Sequence, residues 1–457
     1  MDVSQLIDPD RGLIRGEIFH SQAIYEQELE QIFARSWVFL AHDTMLPQPG
    51  DFIQNYIGED PVLVVRQPDG SVKAFLNQCR HRGMRICRAD RGNARNFMCS
   101  FHGWNYGLDG DVINIPHGEA IYDAVERAEF RATPVRLANY KGFIFGTWDA
   151  AAPAFEDYLG DFAWYFDAYI DRYEGGLEIV GMHKWVLPAN WKFNAEQPAS
   201  DMYHGEVSHA SAFQVMVPPP KDAHSPPPDW AMRQLGQLSN PSGFQFASPY
   251  GHGNGWFAGG MPTMNETIYR WQEATKAQVA ARLGPQRVLS AGHANVFPNF
   301  MMLSNYTFRV THPRGPNEME IWAWSMAPVA APAEVKEAIR LDLLRTFSPA
   351  GMFEQDDAVN WEEEQRILRG HMARKAPLIY KQMLGRARYD ADGLPGRTVP
   401  HVYAEEGARS MYRHYTDMMS GAPWPDLTRR KQQREDAERR ALAAQGQPPA
   451  KPDAAAA

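Results

Sequence analysis

The sequence predicts an α+β protein of two domains, and three observations support this. At 457 residues the chain is long for one ordinary domain and long enough to bury two cores. Residues 38–155 consist of short strand-like runs separated by Gly, Pro and Asp-Gly turns, which is typical of a small all-β domain. From residue 156 helical and strand-like segments are mixed, so the second domain is larger and combines both.

Composition and charge argue against several classes of partner. The formal net charge is −9 and the pI is about 5.9, so the chain lacks the basic surface expected for binding nucleic acid or an anionic membrane. Three cysteines, and an N-terminus without the pattern of a signal peptide, indicate a reducing compartment. No apolar run approaches the ~20 residues that span a bilayer. We therefore expect a cytoplasmic protein.

In the first domain, two hairpins place cysteine and histidine side chains at loop tips. The segment "PVLVVRQPDGSVKAFLNQC" predicts a hairpin around Pro68-Asp69-Gly70, and its second strand leads to Cys79. The segment "YGLDGDVINIP" predicts another hairpin around Asp109-Gly110, shortly after His102. The segment "YKGFIFGTWD" adds an apolar strand. An amphipathic helix is predicted before this domain, over residues 21–37.

The two loop tips carry four side chains of the kind that bind metals. They are Cys79 and His81 on one loop, and Cys99 and His102 on the other, in the pattern Cys-x-His-x17-Cys-x-x-His. Zinc accepts two thiolates and two imidazoles, but a zinc finger has two cysteines followed by two histidines. One Cys and one His on each loop instead suit a two-iron cluster with both thiolates on one iron and both imidazoles on the other. The motif resembles that of Rieske [2Fe–2S] proteins, and structural zinc remains the alternative. Cys87, between the loops, is expected to be an ordinary thiol.

The second domain opens with an aromatic helix, "FEDYLGDFAWYFDAYID". Strands are predicted at 178–187, 294–312 and 318–327, and helices at 333–347 and 352–370. Residues 216–265 are rich in Pro, Gly and Ser, which predicts long loops or a lid over a cleft. The tail from residue 429 to 457 is expected to be a charged helix that becomes disordered in its Ala/Pro-rich end.

A second metal site is predicted from "NWKFNAEQPASDMYHGEVSH", residues 190–209, interpreted as one helix. His204 and His209 are about 140° apart around an ideal helix, so both reach one metal only if the helix breaks near Gly205. Two imidazoles and one carboxylate form the facial triad of non-haem iron oxygenases. In "SPAGMFEQDDAVNWEEEQRILRG", residues 348–370, Asp357 lies on the apolar helix face, which favours it over Asp356 as the carboxylate.

Over residues 17 to 425 the chain looks like the large (α) subunit of Rieske non-haem iron aromatic ring-hydroxylating dioxygenases, the naphthalene, biphenyl and 3-phenylpropionate dioxygenase group. The segments that carry the resemblance are "FLNQCRHRG", "CSFHGW", "NWKFNAEQPASDMYH", "GHANVFPN", "SPAGMFEQDD" and "GLPG…PHVYAEEGARSMYRHY". It implies an all-β Rieske domain inserted in a larger catalytic domain with an antiparallel, helix-grip-like sheet. The implied limits are 1–37 for the N-terminal helical part of the catalytic domain, 38–155 for the Rieske domain, 156–428 for the catalytic domain and 429–457 for the tail.

The resemblance also implies roles for particular residues. Cys79, His81, Cys99 and His102 would hold one [2Fe–2S] cluster, and His204, His209 and Asp357 one mononuclear non-haem Fe(II). Asp201 would be an electron bridge that touches His204 and His102 of the next chain. The implied substrate-binding residues are Gln197, Pro198, Gly205, His293, Asn295, Phe347 and Phe353. Gln197 departs from naphthalene-type enzymes, which have an Asn there, and the departure bears on the rim of the pocket.

By the same resemblance the chain is a terminal oxygenase that inserts both atoms of O₂ in cis into a hydrophobic aromatic substrate, either a hydrocarbon or an arylpropionate. The implied partners are a small β subunit in an α3β3 assembly, and a reductase and ferredoxin that relay electrons from NAD(P)H. Two alternatives stay open. One is a Rieske monooxygenase or O-demethylase, and the other is an electron carrier whose second domain has no catalytic iron.

Overall fold

The computed structural model describes residues 2–123, 126–222, 225–238, 242–258, 260, 263–288 and 292–444. The chain forms two compact units. One is Ile32–Ala154, and the other combines Met1–Gln31 with Phe155–Ala457. The larger unit begins with strands β1 (Ile7–Asp8) and β2 (Leu13–Ile14) and helix α1 (Gln22–Glu28), which continues as a π-helical stretch, Leu29–Phe33. The predicted helix over 21–37 is thus confirmed as far as Phe33.

The smaller unit is built from three antiparallel sheets and one short helix, α2 (Gly118–Ile121). Their spatial orders are β6-β5-β4-β7, β10-β9-β8 and β11-β12-β3. The strands are β3 (Val38–His42), β4 (Asp51–Ile57), β5 (Asp60–Arg66), β6 (Val72–Leu76), β7 (Arg91–Asn93), β8 (Phe97–Met98), β9 (Asn105–Tyr106), β10 (Val112–Asn114), β11 (Arg136–Tyr140) and β12 (Phe143–Thr147). The hairpins predicted around Asp69-Gly70 and Asp109-Gly110 are the β5–β6 and β9–β10 pairs, so both are confirmed.

The larger unit contains a nine-stranded antiparallel sheet, which confirms the predicted fold class. Its spatial order is β13-β19-β18-β17-β16-β15-β14-β22-β21. The strands after residue 155 are β13 (Leu177–Leu187), β14 (Gly243–Ala247), β15 (Gly253–Phe257), β16 (Gly292–Val296), β17 (Phe300–Leu303), β18 (Thr307–Pro313), β19 (Met319–Pro328), β20 (Leu378–Ile379), β21 (Arg388–Tyr389) and β22 (Arg397–Val399). Strand β20 pairs with β2 in a separate small sheet.

Ten helices of the described residues follow in this unit. They are α3 (Phe155–Leu159), α4 (Phe162–Ile170), α5 (Trp191–Ser200), α6 (Ala210–Met216), α7 (Asp229–Leu238), α8 (Glu266–Leu283), α9 (Ala333–Thr346), α10 (Met352–Leu368), α11 (Glu406–Met419) and α12 (Trp424–Ala444). Helices α9 and α10 confirm the predictions at 333–347 and 352–370. The prediction of a single aromatic helix from residue 155 is wrong. Gly160 adopts a left-handed φ of 50° and separates α3 from α4.

Two further predictions need correction. The strand predicted at 294–312 is three strands, since the chain turns at Phe297-Pro298 and again at Ser304, whose φ is 68°. The region 216–265, predicted as loops or a lid, contains α7, β14 and β15, while residues 223–224, 239–241, 259 and 261–262 lie outside the described residues. Of the predicted tail, α12 is helical to Ala444, and residues 445–457 lie outside the described part.

Helix α5 lies against strands β15 to β18 and against α11, and polar contacts fix its place. The amide of Asn194 donates to the Thr311 hydroxyl at 2.9 Å. At its start, the buried Glu28 carboxylate of α1 accepts hydrogen bonds from the Trp191 indole at 2.8 Å and the Lys192 ammonium at 2.6 Å. Because a buried charge is costly unless it is paired, this contact ties the N-terminal helix to α5.

None of the described helices is both long enough and apolar enough to cross a bilayer.

The close approach of α5 and α11 makes one glycine necessary. A Cβ atom on Gly407 would lie 1.9 Å from the carbonyl oxygen of Ala199. We expect Gly407→Ala to force the two helices apart at a cost of about 1–3 kcal/mol, and to lower the apparent melting temperature. Gly236, in α7, is a matched control, since a Cβ there meets nothing within 4 Å. Gly236→Ala should leave the melting temperature unchanged or raise it; equal effects of the two substitutions in calorimetry would contradict this account.

Candidate metal centres

The two Cys/His loops of the smaller unit have the same backbone conformation. In each loop a glycine four residues after the cysteine donates its amide to the cysteine carbonyl, from Gly83 to Cys79 at 2.9 Å and from Gly103 to Cys99 at 3.0 Å. Both glycines adopt a left-handed φ, of 74° and 72°. A residue with a Cβ rarely adopts this conformation, so the glycines allow each loop to turn its Cys and His side chains the same way.

The two cysteines of these loops are buried, and the two histidines are more exposed. Cys79 and Cys99 are 2% and 1% exposed, whereas His81 is half-buried and His102 is exposed. The two imidazole rings meet edge to face with centroids 4.4 Å apart. Burial raises the pKa of the Cys79 thiol, and the Tyr106 hydroxyl donates a hydrogen bond to its Sγ at 3.2 Å. The thiols therefore lie inside the unit and the imidazoles at its surface.

The spacing of these four ligands is too wide for one ion. Among the described residues, the only set of three or more Cys, His, Asp or Glu ligand atoms within 4.8 Å of one another is His204, His209 and Asp357. The ligand atoms of a tetrahedral zinc ion lie within about 4 Å of one another. The Cys/His set of the described structure is thus spaced more widely than the ligands of one zinc ion.

In the larger unit, residues 190–209 do not form one continuous helix, and the break expected near Gly205 occurs earlier, after Ser200. Helix α5 ends at Ser200, and Asp201 takes the non-helical angles φ −85° and ψ 80°. Pro198 lies in the last turn and has no backbone N–H to continue the hydrogen-bond pattern. His204 then begins a short 3-10 turn, His204–Glu206, and His209 occupies the N-cap of α6. This break removes the angular separation that a straight helix would impose on the two histidines.

Three possible ligand atoms converge beyond the end of α5. His204 Nε2 and His209 Nε2 are 3.2 Å apart, and Asp357 Oδ1 on α10 lies 3.3 Å from the first and 3.4 Å from the second. Two atoms that bind one ion at about 2.1 Å, with angles of about 90–110°, are about 3.0–3.4 Å apart. Asp357 Oδ1 is buried and faces these two imidazole nitrogens. The three side chains therefore fit the facial arrangement of a mononuclear iron.

A carboxylate lies behind each imidazole. Asp201 Oδ2 is 3.3 Å from His204 Nδ1, and Asp356 Oδ2 is 3.1 Å from His209 Nδ1. Carboxylates in this position fix the tautomer and orientation of a metal-binding imidazole. The sequence indicates Asp356 only as an alternative to Asp357 and does not predict its contact with His209. The adjacent pair was nevertheless a signal, because neighbouring helix positions point about 100° apart and so reach different partners.

The charges of the site favour a cation at its centre. Burial lowers the pKa of His204, but hydrogen bonds to Asp201 and Asp357 outweigh burial and raise this pKa to about 10. Burial raises the pKa of Asp357, and hydrogen bonding to His204 holds it below its usual range. The pKa of Asp201 is lowered in the same way. Both carboxylates thus keep their negative charge, Asp357 although it is buried and Asp201 in a half-exposed position.

A cavity of about 480 Å³ opens next to this set. Its wall contains Gly205, His293, Phe347 and Phe353, four of the seven residues predicted to bind substrate. Burial lowers the pKa of His293 to about 3, so its ring is neutral. Eight further lining residues are not predicted from the sequence: Met202, Glu206, Ala210, Phe213, Gln214, Leu235, Phe257 and Tyr403. Ala210, Phe213 and Gln214 share helix α6, and the others come from separate helices, strands and loops, so no single sequence pattern joins them all.

The other three predicted pocket residues are not on this wall. Gln197 lies in α5 with its Nε2 3.3 Å from His204 Nε2. Asn295 accepts a hydrogen bond from the Gly253 amide at 2.6 Å and donates to the Ala195 carbonyl at 3.4 Å. Its side chain therefore binds the backbone of two neighbouring elements. Pro198 lies inside α5 and is buried.

The Tyr106 contact makes a prediction about the redox potential of the expected cluster. A hydrogen bond to a ligand sulfur stabilises the reduced, more negative cluster, so Tyr106→Phe should lower the reduction potential by on the order of tens of millivolts. Tyr122→Phe is the matched control. Tyr122 lies in the same unit, and its ring centroid is 5.6 Å from that of Trp104. Redox titration followed by EPR would measure both variants. Equal potentials in the wild type and Tyr106→Phe would contradict the prediction.

Two family models match the chain, one for each unit. The model described as "Rieske [2Fe-2S] domain" matches residues 36–135, and "Ring hydroxylating alpha subunit (catalytic domain)" matches residues 155–421. The chain therefore carries a [2Fe–2S] cluster and a mononuclear iron.

Curated relatives match over nearly the whole length. The chain is 43% identical to the biphenyl 2,3-dioxygenase α subunit of Rhodococcus jostii (strain RHA1), over 93% of each chain. It is 42% identical to a benzene 1,2-dioxygenase α subunit of Pseudomonas putida, over 93% of this chain and 95% of that protein. A solved structure of a naphthalene 1,2-dioxygenase mutant bound to phenanthrene matches with a TM-score of 0.85 and 30% identity, over 94% of this chain and 97% of that chain. The chain thus belongs to the α subunits of the Rieske aromatic ring-hydroxylating dioxygenases.

Proposed function

We propose that this chain cis-dihydroxylates an aromatic hydrocarbon in a reaction that takes both oxygen atoms from O₂. The ring, O₂, two electrons and two protons give a cis-dihydrodiol. The observation that carries the proposal is the convergence of two imidazoles and one carboxylate at the wall of an apolar cavity. The names of the relatives, which act on biphenyl and benzene, support the substrate class.

We assign the ligands from geometry and resemblance together. Cys79 and Cys99 would bind one iron of the cluster, and His81 and His102 the other. His204, His209 and Asp357 would bind the mononuclear iron. When bound, the metals supply O₂ activation and one-electron transfer. Residues 38–155 would form the Rieske domain, and residues 1–37 with 156–428 the catalytic domain.

The protein's own part of the reaction is to hold the ring and to exclude water. Phe213, Phe347 and Phe353 form an apolar wall on which a flat ring packs. Asp201 and Asp356 orient the two imidazoles from behind. A cavity of about 480 Å³ lies within the range of small-molecule sites and has room for substrates with more than one ring.

The charge of the cavity distinguishes the two substrate classes that the resemblance leaves open. Among the described lining residues there is no lysine or arginine, and the acidic ones are Glu206 and Asp357. Apart from the iron site itself, a substrate carboxylate would find no cationic side chain on this wall, and its desolvation costs free energy. We therefore favour an aromatic hydrocarbon over an arylpropionate.

Electrons would reach the mononuclear iron from a neighbouring copy of the chain. In this proposal Asp201, in contact with His204, also touches His102 of the next α subunit in an α3β3 assembly. A reductase and a ferredoxin would supply the electrons from NAD(P)H. The three free cysteines agree with a reducing compartment, and we propose the cytoplasm.

Product analysis under ¹⁸O₂ tests the reaction. The complete system, with ferredoxin and reductase, is offered benzene, naphthalene, biphenyl and 3-phenylpropionate. We expect cis-dihydrodiols that carry two labels in one molecule, and a lower kcat/KM for the arylpropionate than for the hydrocarbons. A single label, or a dealkylated product, would contradict dioxygenation, and a preference for 3-phenylpropionate would contradict the substrate class.

A further inference from the structure

A buried ion pair joins the central sheet to the helix that carries Asp357. Arg309 on β18 pairs with Glu354 on α10, and both side chains are only 1% exposed. The Arg309 guanidinium also lies over the rings of Trp185 and Phe347, at 5.7 and 5.5 Å from their centroids. Among the described residues, no second carboxylate forms an ion pair with Arg309. The pair has no part in the reaction proposed above.

Stability alone does not explain this pair. Both charges lose their hydration, and apolar side chains of similar volume often stabilise a protein as well or better. Burial raises the pKa of Glu354, and the positive charge of Arg309 opposes the rise. A buried pair of this kind is best explained when it fixes the position of the elements that carry it.

The position that the pair fixes is the beginning of α10. Glu354 is in the first turn of α10, and Asp357 follows three residues later on the same face. Gly351, the N-cap of α10, has no side chain to bind the free backbone amides of that turn. The contact with β18 thus ties the first turn to the sheet. One turn later, Asp357 Oδ1 must meet two imidazole nitrogens at 3.3 and 3.4 Å.

We propose that Arg309 is a positioning residue for the iron site: by holding Glu354 it sets the register of α10 and thereby the place of the Asp357 carboxylate. The inference rests on the proposed function, in which Asp357 binds iron. Arg309 itself touches neither iron nor substrate. Its loss should leave all three ligands present but loosen one of them, so iron binding weakens without disappearing.

The test measures iron binding separately from folding. Arg309→Met removes one partner, and the double variant Arg309→Met with Glu354→Met replaces the pair by apolar side chains. We measure the dissociation constant for Fe(II), the EPR spectrum of the ferrous site with nitric oxide as a probe, and the melting temperature. The cluster's visible absorption reports the state of the other centre.

We expect the dissociation constant to rise about 10–100-fold in Arg309→Met, as when outer partners of metal ligands are lost, with a broadened EPR spectrum. In the double variant the melting temperature should recover while the dissociation constant stays raised. Arg309→Lys keeps the charge without the planar guanidinium and should bind iron with intermediate affinity. Arg409→Met is the matched control. Arg409 is a buried arginine that pairs with Glu406 in α11, and its loss should lower the melting temperature and leave iron affinity unchanged.

Two outcomes would overturn the inference. One is a dissociation constant in Arg309→Met within twofold of the wild type. The other is recovery of iron affinity together with the melting temperature in the double variant, which would give the pair a structural role only. Asp357→Ala separates this failure from failure of the proposed function. If Asp357→Ala loses the mononuclear iron and Arg309→Met retains it, only the inference fails; if Asp357→Ala retains it, the proposed site itself is wrong.

Discussion

His204 lies between two carboxylates, and much of the larger unit serves to keep it there. Its Nε2 is 3.3 Å from Asp357 Oδ1, and its Nδ1 is 3.3 Å from Asp201 Oδ2. A neutral imidazole has one N–H and one free nitrogen, so the partner of one nitrogen decides what the other can bind. Asp201 leaves Nε2 available for a metal. The same contact places a charged group directly behind the ligand, where electrons would arrive.

The convergence of three ligands depends on elements that are far apart in the chain. His204 and His209 follow α5, whose place is set by the sheet, by α11 and by the buried Glu28 carboxylate. Asp357 belongs to α10, which the buried Arg309–Glu354 pair joins to the sheet. Apolar side chains then close the cavity around the open side of the site. Burial of Asp357 strengthens its interaction with the two imidazoles, since charges interact more strongly away from water.

The features that could be predicted from the sequence are those set by short-range rules. The two Cys/His loops follow hairpins with recognisable turns, and Asp357 was distinguished from Asp356 by helix periodicity. The helix break after Ser200 was harder, because Pro198 is tolerated in a final turn and Gly205 alone does not fix where a helix ends. The full set of residues in the cavity wall could not be predicted from any sequence pattern. Residues such as Phe213, Leu235 and Phe257 meet only through tertiary packing.

The central claim is that Asp201 connects His204 to the incoming electrons without holding the iron itself. A single-turnover experiment on Asp201→Ala tests it most directly, with the Rieske cluster reduced chemically and then mixed with O₂ and naphthalene. We expect both centres to retain their iron and the cluster to accept an electron normally. Reoxidation of the cluster, followed by its visible absorption, should nevertheless slow by orders of magnitude. Reoxidation at the wild-type rate, with product formed, would contradict the account.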